Sequence, residues 1–269
     1  MILSSLTVLF GLVIGSFLTA YTWRWPRGES VQAGRSKCPH CKSKISWYDN
    51  IPFFSYLILK GRCRSCGKKI SIRYPLIEGA TALIFYSLYY AVGACTNVTG
   101  SPFRSSLVCD WQASLGWWTL PFILLIASIL IAIFIIDLEN QTIPDELTFL
   151  LLIFTVSVIL FSSNGQLYQR LFSGFMASFA LLSLNLGTKG RGMGLGDVKL
   201  AIFGGTFFGW PLTYVWILTS FVTGGIVSAI LLIMKRKKFG SRIAFGPFLV
   251  AAFFLVLLFS ESFQVLMPF

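Results

Sequence analysis

Eight long apolar runs separated by polar stretches set the pattern of this chain. They lie at about residues 2 to 22, 76 to 95, 117 to 136, 147 to 163, 171 to 186, 198 to 211, 212 to 234 and 243 to 262. A helix needs about 20 apolar residues to cross the ~30 Å hydrocarbon core, so the pattern predicts an all-α polytopic membrane protein with about eight transmembrane helices. The run at 198 to 211 fits least well. It is short, contains Gly204, Gly205 and Gly209, and meets Pro211, which suits a broken or re-entrant segment; a soluble core helix is the alternative. Met1 to Ala20 has the length of a signal peptide but no basic start, and its apolar run continues to Trp25 without a small-residue cleavage site. It reads as a retained first span. Gly11 and Gly15, with Ser16, stand at helical spacing and suit close helix packing.

Composition agrees with this reading: 55% of residues are hydrophobic, 12% are charged, and 26 of the 269 are Phe. A net charge of +12 would suggest nucleic acid in a soluble protein, but here its placement matters more. Of the 22 Lys and Arg, twelve lie between Arg24 and Arg73. Lys189, Arg191 and Lys199 flank the sixth run, and Lys235, Arg236, Lys237, Lys238 and Arg242 separate the last two. Only Arg104 and Arg170 remain for the opposite face. Excess positive charge marks cytoplasmic loops, so the N-terminus is expected outside, and eight crossings return the C-terminus outside. The basic groups then meet anionic lipid headgroups, and no nucleic-acid partner is expected.

The first loop holds four of the six cysteines, as Cys38-Pro-His-Cys41 and Cys63-Arg-Ser-Cys66. Two C-x-x-C knuckles at this separation predict one tetrahedral Zn²⁺ site, whose metal supplies folding energy to a loop too small for its own core. A redox dithiol is the alternative. His40, the only histidine, reads as a solvated knuckle residue. Trp47, Tyr48, Ile51, Phe53, Phe54, Tyr56 and Leu57 mark the loop as a folded module, not a disordered tail. The expected organisation is therefore a first transmembrane helix at 1–23, a small zinc-knuckle cytoplasmic module at 24–75, and a membrane domain at 76–269. Cys95 and Cys109 flank a short external loop with Gly100 and Pro102, where an oxidising compartment would permit a disulfide.

Two aspartates stand at the edges of apolar runs: Asp137 after Leu120 to Ile136, and Asp197 in Gly194-Leu-Gly-Asp197. A charge at membrane depth costs ~3 kcal/mol on insertion scales, which marks the pair as functional candidates. A single histidine and no H-E-x-x-H argue against a zinc-protease site or a serine triad. Carboxylates remain. Asp137, Glu139, Asp145, Glu146 and Asp197 gather on the expected cytoplasmic side, while Asp110 and Glu261 lie outside. Two close carboxylates share a proton; one then activates water while the other polarises a scissile carbonyl. Gly192, Gly194 and Gly196 allow sharp turns and close approach of an extended peptide beside Asp197. A phosphate loop is disfavoured, since no strand precedes these glycines and no G-K-[ST] follows. Lys199 is a candidate partner for Asp197, for a substrate carboxyl group or for lipid.

These residues resemble a family, the type IV prepilin leader peptidases, the GxGD-type membrane aspartic proteases of bacterial inner membranes. Asp137-Leu-Glu-Asn-Gln-Thr-Ile-Pro-Asp145 resembles its first catalytic segment and Gly192-Met-Gly-Leu-Gly-Asp197-Val-Lys199 its second. Gly15-Ser-Phe-Leu18 with Arg24-Trp-Pro-Arg-Gly-Glu-Ser30, the knuckles, Asn50-Ile-Pro52, Ser55-Tyr-Leu57, Arg73-Tyr-Pro75 with Glu78, and Phe245-Gly-Pro-Phe248 are similar to further signatures. Thr19 departs from an expected Asn and Ala244 from a usual Pro. The resemblance implies cleavage of basic leader peptides from pilin-like precursors, after Gly and commonly before Phe, with Asp137 and Asp197 as the catalytic dyad. It also implies N-methylation of the new amine with S-adenosylmethionine, attributed to the region around the knuckles, where Glu29, Glu78, Arg73 and the aromatic residues near Asn50 are candidates. The precursor's apolar helix would lie among the spans while Glu139, Asp145 or Glu146 receives the basic leader. Two other classes stay open: an ion-coupled transporter using carboxylates at a broken helix, and a noncatalytic anchor carrying a zinc module.

Overall fold

The computed structural model describes residues 2–29, 38, 40–96, 105–162, 166–190, 192–234 and 243–265. Ser30, Pro39, Gly100, Pro102, Arg104, Arg191, Lys235, Arg236, Lys237, Lys238 and Arg242, together with the side chain of Trp47, lie outside the described residues. Among the described residues the chain forms ten α-helices and no strand: α1 (Ile2–Arg24), α2 (Phe54–Ile58), α3 (Arg73–Thr96), α4 (Ser106–Leu115), α5 (Thr119–Asn140), α6 (Asp145–Phe161), α7 (Leu167–Gly187), α8 (Leu195–Phe208), α9 (Leu212–Ile233) and α10 (Gly246–Val265). Each of the eight apolar runs falls on one of these helices.

Among the described residues six stretches are long and apolar enough to cross a membrane: Ile2–Arg27, Arg73–Cys95, Ser106–Asn140, Leu167–Gly187, Leu212–Ile233 and Gly246–Phe263. With 17 and 14 residues, α6 and α8 fall short of the ~20 that a crossing needs. By length and composition six of the eight expected runs qualify, and α6 and α8 are the two that do not.

The chain divides into two compact units, Met1–Tyr89 and Tyr90–Phe269. In the first, α1 meets α3 backbone to backbone. A Cβ on Gly11 would lie 2.7 Å from the Ala82 Cα, and one on Gly15 would lie 2.7 Å from the Glu78 Cα. In lipid, burying apolar surface between helices gains little, so close packing over small residues has to hold the pair, as the spacing of the two glycines predicts. The Arg73 guanidinium adds a polar tie, donating to the Thr22 hydroxyl at 2.8 Å and to the Thr19 carbonyl at 3.3 Å.

The second unit is built around α8. Phe203, Phe207 and Phe208 are buried and meet Phe253 of α10 with ring centroids 4.8 to 5.6 Å apart; Trp111 of α4 stacks on Phe207 at 5.3 Å. In the run expected to be broken, α8 is continuous from Leu195 to Phe208 and the interruption falls between Phe208 and Leu212. Its glycines serve packing. The Trp216 ring sits against Gly204, and a Cβ on Gly205 would lie 2.7 Å from the Gly174 Cα of α7. Gly209, in the left-handed region at φ 69°, then ends the helix.

Candidate active site

Asp137 occupies the last turn of α5. That helix ends at Gln141, which adopts the left-handed conformation (φ 55°, ψ 38°) and donates its N–H to the Asp137 carbonyl at 2.9 Å. Asp197 occupies the first turn of α8. The first N–H groups of a helix have no partner within it, and Gly194 donates its N–H to Asp197 Oδ2 at 3.1 Å. The Gly-Leu-Gly-Asp run is therefore a helix start in which the aspartate caps its own helix with one oxygen. Gly194 has an ordinary extended backbone (φ −80°, ψ 152°), so what its segment requires is space rather than a left-handed turn. Gly196 shows this directly: a Cβ there would lie 2.9 Å from the Ile143 Cβ.

Both carboxylates are buried, at 4% exposure for Asp137 and 6% for Asp197, and lie within electrostatic reach of each other. Asp137 Oδ2 is buried without a hydrogen-bond partner among the described residues. The start of α10 closes the site. The Gly246 amide faces the Asp137 carboxylate, and a Cβ at Gly246 would lie 2.5 Å from Asp137 Oδ2 and 3.1 Å from the Ile143 Cδ1. Two buried carboxylates, one with a free acceptor oxygen, form an arrangement able to share a proton and to activate water.

Other expected residues take different places. Lys199 Nζ donates to Asp145 Oδ2 at 2.7 Å, an exposed ion pair that ties α8 to the start of α6. Glu139 and Glu146 are exposed. Gly192 donates its N–H to the Thr188 hydroxyl at 3.1 Å, bracing the approach to α8. Sequence reasoning missed Ile143 as a contact of both Gly196 and Gly246, and it placed Gly246 only within a motif known by resemblance.

In the first unit the Sγ atoms of Cys38, Cys41, Cys63 and Cys66 all lie within 4.8 Å of one another, while His40 is exposed and outside the cluster. The two knuckles share a turn. Lys42 (φ 56°) donates to the Cys38 carbonyl at 2.9 Å, and Gly67 (φ 67°) donates to the Cys63 carbonyl at 2.8 Å. Tetrahedral Zn–S bonds of ~2.3 Å place sulfurs about 3.8 Å apart, and Cys38 and Cys66 stand at 4.0 Å. The Ser43 hydroxyl and amide bring the Cys41 thiol down to about 6, and the Cys66 and Ser65 amides lower that of Cys63, while burial and the neighbouring thiols push Cys66 up to about 11. Lowered thiols favour the thiolate that a metal binds. The four residues fit one metal ion.

The remaining candidates hold the unit together. Glu78 is buried and accepts the Phe53 N–H at 2.7 Å, which fixes Phe53 at φ 62° and ψ −52°. The Thr19 hydroxyl is spent on the Gly15 carbonyl of its own helix. Glu29 and Asn50 are exposed. In the second unit Cys95 and Cys109 are joined in a disulfide.

Among the described residues the chain is helical and buries a pair of aspartates at two helix ends, an arrangement that suits a membrane-embedded hydrolase. Family models make the assignment specific: residues 9–92 match the bacterial Peptidase A24 N-terminal domain, and residues 124–229 match the type IV leader peptidase family. The chain belongs to the type IV leader peptidase family. It is 32% identical to a prepilin leader peptidase/N-methyltransferase of Aeromonas hydrophila over 96% of this chain and 91% of the relative. The protein of the same description from Pseudomonas aeruginosa is also 32% identical, covering 95% and 90%. A type 4 prepilin-like proteins leader peptide-processing enzyme of Escherichia coli O78:H11 is 33% identical, covering 90% and 88%. No solved structure matches the chain. Neither the transporter nor the anchor finds support in these matches.

Proposed function

We propose that this chain is a bacterial inner-membrane leader peptidase that cleaves pilin-like precursors and then methylates the exposed amine. The observation that carries the peptidase reading is the buried pair Asp137 and Asp197 in a chain of this family. One ionised carboxylate takes a proton from water, whose oxygen bonds to the scissile carbonyl carbon, while the protonated partner donates to the carbonyl oxygen. Collapse of the tetrahedral intermediate breaks the C–N bond, and the leaving nitrogen takes up the proton. Asp197, capped by Gly194, supplies a fixed oxygen; Asp137 supplies the unpartnered one.

The descriptions of the relatives support N-methyl transfer with S-adenosylmethionine as donor. The four-cysteine module fits a structural Zn²⁺, which would hold the loop that carries this second activity. The basic loops favour a cytoplasmic module with the N-terminus outside, and the Cys95–Cys109 disulfide on the opposite face agrees with an oxidising compartment there. Membrane lipids and pilin-like precursors are the partners, without nucleic acid.

The test is a liposome assay with a pilin-like precursor and S-adenosylmethionine, read by mass of the mature N-terminus. The wild type is expected to release the leader and add one methyl mass to the product. Loss of cleavage in both Asp137→Asn and Asp197→Asn supports the dyad; full cleavage by either variant sinks it.

A further inference from the structure

We infer that the end of the second unit away from the dyad carries a binding site for a zwitterionic phospholipid headgroup, in which Arg170 takes the phosphate and Asp110 the ammonium. Neither residue has a part in the peptidase reading, and the inference stands without it.

The site is a cavity of about 200 Å³ where several helices end. Gln166 caps the start of α7, Gln169 and Arg170 lie just inside it, Asp110 lies in α4, and Gly209 and Trp210 follow α8. Asp197 stands at the start of α8 and Gly209 at its end, so roughly 18 Å of helix, at about 1.5 Å per residue, separates the cavity from the dyad. One water needs roughly 10–15 Å³ of such space, so the cavity has room for a ligand of many atoms.

Arg170 is held in one orientation. Its Nη1 donates to the Phe207 carbonyl at 2.8 Å, its Nε to Gln166 Oε1 at 3.4 Å, and its guanidinium carbon stands 4.7 Å from the Trp111 ring centroid. Among the described residues Nη2 has no hydrogen-bond partner. A fixed guanidinium with N–H donors to spare suits a phosphate. Asp110, which is exposed, is the counterpart. Its charge acts on Arg170, yet among the described residues no ion pair joins the two. Opposite charges that line one cavity without touching leave room between them for a ligand carrying both signs. Capping the end of α8 accounts for Arg170 alone; it uses neither Asp110 nor the cavity.

The position of the cavity favours a lipid over a soluble zwitterion. Two of the apolar stretches long enough to cross a membrane, Leu167–Gly187 and Leu212–Ile233, begin at its edge. Tyr168, Trp210 and Tyr214 beside it are exposed, as are Trp117 and Trp118 at the end of α5 away from Asp137. Exposed Trp and Tyr collect at the membrane–water interface, at headgroup level. The headgroup chemistry then narrows the lipid. A phosphoethanolamine group has a phosphate for Arg170 and ammonium N–H donors for the Asp110 carboxylate, whereas choline has no N–H and a glycerol headgroup has no positive charge.

The test titrates the full-length protein in detergent with phosphatidylethanolamine, phosphatidylcholine or phosphatidylglycerol, read by native mass spectrometry. Wild type should hold one phosphatidylethanolamine about tenfold more tightly than either of the others. Asp110→Ala should bring phosphatidylethanolamine and phosphatidylcholine to within about twofold of each other, and Arg170→Gln should weaken both by about tenfold. Equal retention of the three lipids by wild type, or a preference that survives Asp110→Ala, would overturn the inference. Because Arg170 also braces α8, circular dichroism checks that its variant is folded; if it is not, the exposed Asp110→Ala decides alone. Soluble phosphoethanolamine separates the two sources of this chemistry. It should leave the lipid bound at equal concentration, and displacement would reassign the cavity to a soluble ligand. Displacement of the lipid one for one by a pilin-like precursor would equally overturn the inference, by making the cavity a substrate contact.

Discussion

The aspartate site and the cysteine module are held by different physics. At the dyad both carboxylates and Gly246 are buried, and the glycines at 196 and 246 let three chain segments meet at contact distance. The module from residue 40 to 72 is mostly exposed or half-buried; Gly61 is its one buried position among the described residues, and Cys38 another just before it. Its order comes from two tight turns and the Asp49–Arg64 ion pair at 2.7 Å, whose Arg64 end is open to solvent and screened by it. A site packed by many segments tolerates no added atom but needs no metal. A site with almost no core depends on the ion its four sulfurs can hold.

The sharpest break in that comparison is chemical. Asp137→Asn and Asp197→Asn preserve shape and remove a proton acceptor, so each should lower cleavage by about 10³-fold or more while leaving the methylation of an already cleaved peptide unchanged. Comparing cleavage of a precursor with methylation of the mature peptide, in the same liposomes, checks both halves. Similar loss of the two activities would mean that the sites are not separable.

Metal removal attacks the other region. Structural Zn²⁺ contributes roughly 10–16 kcal/mol to small cysteine modules, far more than the contacts seen here. Chelation, or Cys63→Ser with Cys66→Ser, should release the metal, increase proteolysis of residues 40 to 72 and abolish methylation, with cleavage kept within about threefold. Metal analysis of the purified protein checks occupancy directly. Abolished cleavage with intact helical content would make the module part of the peptidase.

An intermediate effect is expected from one methyl group in the packed region. In Gly246→Ala the new Cβ would arrive 2.5 Å from Asp137 Oδ2, so the carboxylate or α10 must move. A displacement of ~1 Å at a catalytic group can cost about 10²-fold in rate. Gly225 has no atom within 4 Å of such a Cβ, so Gly225→Ala should leave the rate unchanged and controls for helix propensity. Equal rates for the two variants would show that the close approach is not needed.

The dyad was legible because a carboxylate at the edge of an apolar run is conspicuous against its background, and the knuckles because paired thiols at short spacing have few other uses. Gly246 and Ile143 carried no such signal. An isoleucine and a glycine in an apolar chain look like every other one; their roles arise only where α5, α8 and α10 converge. The glycines after Asp197 carried two meanings at once: glycine breaks helices and also permits backbones to touch, and Gly209 does the first while Gly204 and Gly205 do the second. The partner of Lys199 was not legible, because proximity along the chain to Asp197 says nothing of side-chain direction. Asp145, 54 positions away, receives it.

That ion pair carries the smallest expected effect. Lys199 and Asp145 are 38% and 55% exposed, so water and salt screen their attraction, and exposed pairs typically contribute 0.2–1 kcal/mol. Lys199→Ala should therefore slow cleavage by no more than about fivefold, less at high salt, through looser holding of the connection that carries Ile143. The reversed pair, Lys199→Asp with Asp145→Lys, should restore most of that loss. Cleavage rates at low and high ionic strength for the single and double variants measure the coupling. A loss of 10²-fold or more, unrepaired by reversal, would return Lys199 to the dyad itself, as a charge acting on Asp197 rather than a clamp on the loop beside it.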